Sequence, residues 1–184
     1  MKEILQEKGN AVLHTPTNEI PVEDIKSPKI QKIIKEMSQA LLSQDDGVAL
    51  AGPQIGYPLS IFIVSGKIFD RDFIESKEER VEGEGNIKKA KQKVPDMVYI
   101  NPRILKLSKD KEWIPEGCLS ARWLYGRTHR SKKATITAYD ENGKKFVRGA
   151  SGLLAQIFQH ETDHLKGVMF TDHAKDIIEE GPVL

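Results

Sequence analysis

The stretch SGLLAQIFQHETDHLKG, residues 151–167, sets the hardest condition on the fold. Leu153, Leu154, Ile157, Phe158 and Leu165 recur at helical spacing and need a core to cover them. Ser151 stands where an N-cap belongs and Gly167 where a C′ glycine belongs, so a helix is predicted over about 152–166. The same helix carries His160, Glu161 and His164. Burying two imidazoles and a carboxylate without compensation costs several kcal/mol. The chain must therefore enclose this helix and also supply something that makes its polar end tolerable inside.

A cation is the natural compensation. Residues i and i+4 share a helix face, so His160 and His164 can aim at one point, and two neutral imidazoles suit a divalent transition metal. The pattern is H-E-x-x-H. Glu161, next to the first ligand, can reach a water on the metal without ligating it, as a general base must. A catalytic site of this kind usually has a third protein ligand. Asp172, His173, Asp176, Glu179 and Glu180 follow downstream, as in a metalloendopeptidase, where Asp172 or His173 would serve. Upstream stands Cys118, the single cysteine, in EGCLS (116–120), where Gly117 lets the backbone turn sharply. A thiolate is a strong ligand for zinc or ferrous iron.

The remaining sequence predicts what surrounds the helix. Ser27-Pro28 reads as an N-cap and first helical residue, and Ile30, Ile33, Ile34, Met37, Ala40 and Leu41 follow at helical spacing, giving an amphipathic helix over 28–43. GVALAGPQIG (47–56) reads as a loop or short strand. LSIFIV (59–64) and MVYINPRILKL (97–107) read as strands, with Pro102 marking an edge or a break. KATITAYD (133–140) and KKFVRGA (144–150) flank the hairpin signal ENG. The tail DHAKDIIEEGPVL is expected to hold at most a turn or two of helix. The fold class is therefore α+β, with antiparallel sheets around a central metal-binding helix and a second, N-terminal helix. The 184 residues are expected to form one domain, with an exposed charged insertion at about 65–96, where Lys, Glu and Gly dominate.

A formal net charge of +1 gives no reason to expect nucleic acid or an anionic membrane as partner. The first ten residues, MKEILQEKGN, lack the apolar core of a signal peptide, and no apolar run approaches a membrane span, so a cytoplasmic setting is expected.

Three separated stretches then fall into one pattern. GVALAGPQ (47–54), EGCLS (116–120) and QHETDHLKG (159–167) resemble, in order, the three signature motifs of the peptide deformylases. The second matches in all five residues, and the third matches Q-H-E-x-D-H-L-x-G throughout. In the first, usually G-x-G-L-A-A-x-Q, Gly47, Leu50, Ala51 and Gln54 match, while Ala49 replaces a glycine and Gly52 an alanine. The resemblance implies removal of the N-formyl group from newly synthesised polypeptides that begin with formylmethionine, with release of formate. It implies Cys118, His160 and His164 as metal ligands and Glu161 as the acid/base. Gln54, through its side-chain amide, and Leu119, through its backbone N–H, would face the formyl oxygen. Gly47, Val48, Ala49, Glu116, Gly117, Leu153 and Ile157 would line the substrate site. Val48, Leu153 and Ile157 would receive the methionine side chain, and substrate backbone would pair as a strand with 47–49. Glu116 and Arg130 would form a buried pair that orients the cysteine loop.

The resemblance also implies one divalent metal per chain, natively Fe2+, with Zn2+, Ni2+ or Co2+ as possible occupants of purified protein. Coordination rules alone favour zinc. Transient association with the ribosome is a further implication, although the tail has no clear counterpart of the long C-terminal helix some relatives use there. After Ser120 this chain has ARWLYGRTHR (121–130) in place of a proline-containing stretch, so Trp123 and Tyr125 are expected to reshape the rim of the substrate groove. Two other readings compete: an H-E-x-x-H metalloendopeptidase, and an inactive deformylase-like binding protein.

Overall fold

Ser27 accepts a hydrogen bond from the Ile30 N–H (3.4 Å) and Pro28 takes the first helical position of α1, Pro28–Leu42. Ile30, Ile33, Met37, Ala40 and Leu41 are buried on its inner face, and Ile34 is half-buried beside them. The structure, a computed structural model, describes residues 2–69 and 94–181. Most of the predicted insertion at 65–96 lies outside the described residues. Its described start is a 3-10 turn, Gly66–Phe69, in which Ile68 is buried.

Two antiparallel sheets follow. The larger has the order β1-β2-β3-β6-β7, formed by Ala49–Ala51, Ile61–Val64, Met97–Leu107, Lys133–Tyr139 and Lys145–Ser151. The smaller has the order β4-β5-β8, formed by Lys111–Gly117, Leu124–Ser131 and Lys175–Glu179. The second helix, α2 (Gly152–Leu165), packs against strands of both.

β2 explains the layering. Its residues IFIV are all buried. Ile61 and Ile63 join the cluster under α1, whereas Phe62 and Val64 join the cluster under α2. A strand covered on both faces reads as an unbroken apolar run, not as an alternation. Phe62 stacks on Tyr99 with ring centroids 4.7 Å apart, and Tyr99 meets Phe158 of α2 edge-on at 5.3 Å. Burying each such side chain contributes about 1.5–3 kcal/mol, and together they anchor α2 on the sheet. At the far end of α2, Gly167 has φ +74°, and a Cβ there would lie 2.6 Å from the His14 backbone carbon, so only glycine closes the helix at this point.

The predicted hairpin is present. Asp140 Oδ1 accepts from the Asn142 and Lys144 N–H groups (2.9 and 2.8 Å), and Gly143 supplies the positive φ of the turn. Pro102 marks the expected break: pairing with β2 ends at Ile100, and the ladder with β6 shifts register between Ile100 and Arg103. Other expectations need correction. The tail forms a 3-10 turn, Phe170–Asp172, and then strand β8, because its chain runs alongside the free edge of β5. Ser151 precedes α2, but its side chain makes no capping hydrogen bond, since the residue also ends β7. Strands β4 and β5 were not anticipated at all.

Candidate active site

α2 carries His160 and His164 one turn apart, and their Nε2 atoms lie 3.1 Å from each other. The turn after β4 brings Cys118 Sγ to 3.2 Å from His164 Nε2. Sγ and the two Nε2 atoms form one group of possible ligand atoms, all within 4.8 Å of one another.

The polarity of these groups follows from what stands behind them. Glu116 Oε1 is 2.6 Å from His160 Nδ1. An ionised carboxylate only accepts, so Nδ1 donates and Nε2 keeps its lone pair toward the centre. Glu116 is itself tied down. It accepts from Arg130 Nη2 at Oε1 (2.7 Å), and from Arg130 Nε (3.0 Å) and Thr128 Oγ1 (2.6 Å) at Oε2. Burial would raise the Glu116 carboxyl, but His160 and Arg130 overcome it and hold the group well below the usual carboxylate range. Arg130 Nη1 also donates to Asp163 Oδ2 (2.5 Å).

The donor set fits a divalent cation. Two imidazoles and a thiol are soft and borderline ligands suited to zinc or iron. Within the buried interior, Glu161 Oε2 and His164 Nδ1 have no hydrogen-bond partner among the described residues. Burial raises the Glu161 carboxyl to about 7. Burial also lowers His164 well below its ordinary value. A cation at the convergence of the three ligand atoms answers the crowding of lone pairs and favours an ionised Glu161.

A cavity of about 450 Å³ opens onto this group. The segment around β1 contributes Gly47, Val48, Ala49 and Gln54 to its lining. The end of β4 and the cysteine turn contribute Glu116, Gly117, Cys118 and Leu119, and α2 contributes Leu153, Ile157, His160 and Glu161. Gln54 is buried in the turn Gly52–Ile55, where its Oε1 accepts from the Ala51 N–H (2.7 Å). That bond aims its amide at Ser120 Oγ (3.2 Å) and Cys118 Sγ (3.5 Å). The Leu119 N–H has no acceptor among the described residues. His164 and Arg130 stand behind the cavity, buried.

These residues belong to a known family. A family model described as polypeptide deformylase matches residues 1–179. The chain belongs to the polypeptide deformylases. Among curated relatives it is 38% identical to peptide deformylase 1A, chloroplastic, of Solanum lycopersicum over 168 residues, which are 89% of this chain and 56% of that protein. With the Arabidopsis thaliana protein (36% identical) it likewise spans 58%, little more than half. With peptide deformylase 2 of Clostridium acetobutylicum it is 33% identical over 86% of this chain and 87% of the relative. The solved peptide deformylase of Thermotoga maritima superposes with a TM-score of 0.74 at 26% identity, covering 95% of this chain and 98% of that one. Its counterpart from Legionella pneumophila gives 0.75 at 26% identity, covering 96% and 87%.

The rival third ligands of the endopeptidase reading are elsewhere. Asp172 Oδ2 accepts from the Met169 N–H (2.8 Å), and His173 lies 3.6 Å from Asp163, outside the Cys118–His160–His164 group. Sequence reasoning overlooked the support around the ligands: Asp163, Thr128, Ser120, and Gln156, whose amide donates to the Pro115 carbonyl (2.9 Å). Asp163 sat in plain view inside the third motif and Ser120 inside the second. Thr128 and Gln156 have no spacing signal, because each is selected by a partner on another element.

Proposed function

We propose that this chain removes the formyl group from the N-terminal formylmethionine of newly made polypeptides, as they leave the ribosome, and releases formate. The observation that carries the reading is the convergence of Cys118, His160 and His164 beside a buried Glu161, at the floor of a cavity with an apolar wall. The family membership supports it. Cys118, His160 and His164 would hold one divalent cation, Fe2+ in the working enzyme, which Zn2+, Ni2+ or Co2+ could replace. When bound, that ion would supply Lewis acidity for amide hydrolysis near neutral pH.

The chain's own residues do the rest. Glu161 takes the proton of the attacking water and returns it to the amine as the C–N bond breaks, leaving formate and a free N-terminus. The Gln54 amide and the Leu119 N–H donate to the formyl oxygen as it gains charge; losing one such donor typically costs about 2.7–4 kcal/mol of barrier. Glu116 fixes the ring of His160, and Arg130 fixes Glu116. Val48, Leu153 and Ile157 receive the methionine side chain. β1 is an edge strand of its sheet, so the adjoining 47–49 segment can pair with an extended substrate backbone.

The test is formate release from a formyl-Met-Ala-Ser peptide, measured anaerobically with ferrous iron. Glu161→Gln should retain the metal and lose about 10²–10⁴ of the rate. Cys118→Ala should abolish stoichiometric metal binding. A metal-loaded wild type that releases no formate refutes the activity, and a Cys118→Ala protein that still binds one metal refutes the ligand set.

A further inference from the structure

The two groups that face the formyl oxygen stand on separate turns. Gln54 sits in the turn Gly52–Ile55 after β1 of the larger sheet, and Leu119 in the turn after β4 of the smaller one. Donors of this kind work only when held in place beforehand, and a misplacement of about 1 Å can cost about 10²-fold in rate. Bonds from the Gln54 amide to Ser120 Oγ and Cys118 Sγ run directly between the turns. Both use protons of Nε2, which has only a pair of them, so donating one to the formyl oxygen gives up one of these contacts as charge develops. The spacing of the turns therefore needs a hold that leaves those protons free.

Residues 5–7 provide it. The Leu5 N–H donates to the Gln54 carbonyl (2.8 Å), the Gln6 side-chain amide to the Leu119 carbonyl (3.1 Å) and the Glu7 N–H to the Ser120 carbonyl (2.6 Å). Gln6 Oε1 also accepts from the Arg122 N–H (3.3 Å), so one side chain spans the cysteine turn. Inside that turn the Cys118 carbonyl accepts from the Ala121 N–H (3.1 Å). The carbonyls of Cys118, Leu119 and Ser120 are thus all engaged, the last two by this segment. The segment is itself anchored. Ile4 packs against the cluster under α1, Leu5 against Leu13, Met169 and Phe170, and Glu7 Oε1 accepts from Thr171 Oγ1 (2.9 Å).

We propose that residues 5–7 are a strap that sets the separation of the two oxyanion donors, and that Gln6 is a positioning residue for the Leu119 N–H. The inference rests on the deformylase reading, since it concerns the donors to the formyl oxygen. Leu5 and Glu7 act through backbone N–H groups, which every residue but proline supplies. Gln6 acts through its side chain, so its identity matters. It does not line the cavity and reaches the reaction only through the turn it holds. It is also exposed, so losing its bonds should scarcely change stability while freeing the Leu119 peptide.

The experiment uses the iron-loaded enzyme with formyl-Met-Ala-Ser. Gln6→Met keeps the length of the side chain and loses both bonds. Gln6→Glu keeps an acceptor for the Arg122 N–H but turns an oxygen toward the Leu119 carbonyl. Removing an oxyanion donor outright typically costs about 10²–10³ in kcat, so loosening one should cost about tenfold. Each variant should show that loss in kcat, with KM within about twofold, one metal bound and an unchanged urea midpoint. In the zinc-loaded protein the Leu119 and Ser120 amide resonances should shift in both variants, while those of α2 stay in place. A kcat within about twofold of wild type in both variants overturns the strap and leaves the deformylase reading standing. So does a loss confined to KM, or one matched by a fall in the urea midpoint. No formate from the wild type overturns both.

Discussion

Two arginine–carboxylate clusters contribute to the lining of one cavity, Glu116 from the first and Asp46 and Arg122 from the second, and they use the same fork for different ends. Arg130 grips Glu116 and Asp163 beneath the cysteine turn, with Arg130 and Glu116 side chains only 8% and 3% exposed. Arg122 grips Asp46 at the cavity mouth, with exposures of 24% and 59%. Both make two short bonds to one carboxylate. The difference is the dielectric around them. Inside, each charge has given up its water and depends wholly on its partners, so the cluster dictates where His160 points. At the rim, water competes with every bond, and the pair decides only how two loops sit relative to each other.

Breaking the inner cluster should have the largest effect. Glu116→Ala leaves Arg130 buried without its main counter-charge and His160 Nδ1 without an acceptor. A loss of about 3–5 kcal/mol in urea unfolding is expected, together with about 10–100-fold weaker metal binding. A loss below 1 kcal/mol would mean that water reaches this cluster as freely as it reaches the rim. Asp163→Asn sharpens the comparison. Asp163 is 24% exposed, so the expected loss is smaller, about 1–2 kcal/mol, with the metal retained.

At the rim, Asp46→Asn should cost about 0.2–1 kcal/mol, shrinking further in high salt. Its pH dependence has a definite sign. Partial burial would raise the Asp46 carboxyl, but Arg122 overcomes this and holds it below the ordinary 3.8. A depressed folded value stabilises the fold above pH 3.8 and loses that contribution as pH falls through the folded value. The gap between wild type and Asp46→Asn should therefore be full at pH 6 and close below about pH 3.8. The smallest effect belongs to Arg103, whose pair with Glu19 is exposed on both sides (71% and 60%): Arg103→Ala should leave the unfolding midpoint unchanged.

The same contrast explains which parts of the fold could be read from the chain. α1, α2, β2 and the β6–β7 hairpin announce themselves through apolar spacing, caps and turn residues. β4 and β5 do not, because the inward face of their sheet is polar. Glu116, Thr128 and Arg130 point inward where an ordinary strand would carry Val or Ile, and Trp113, Tyr125 and His129 lie on exposed positions. Hydrophobic alternation is therefore inverted over just the strands that support the candidate metal ligands. β8 was hidden for a second reason. All five of its residues are exposed, and only the open edge of β5 makes it a strand.

By itself the sequence determined which residues are candidates for the chemistry. The i, i+4 histidines, the adjacent glutamate and the single cysteine are covalent facts of order and residue type, and together they nominate the proposed ligands and base. It also determined the burial of α2, since an apolar helix face has to find a core. The tertiary structure alone decided how those groups are aimed. The distance from Cys118 to His164, the acceptor behind His160 and the amide of Gln54 each depend on contacts between residues far apart in the chain. So do the Arg122–Asp46 clamp and the left-handed conformation of Trp123 in the cavity lining. Local spacing carries no information about such contacts, because their energies arise only once water has been excluded between elements that the sequence leaves separate.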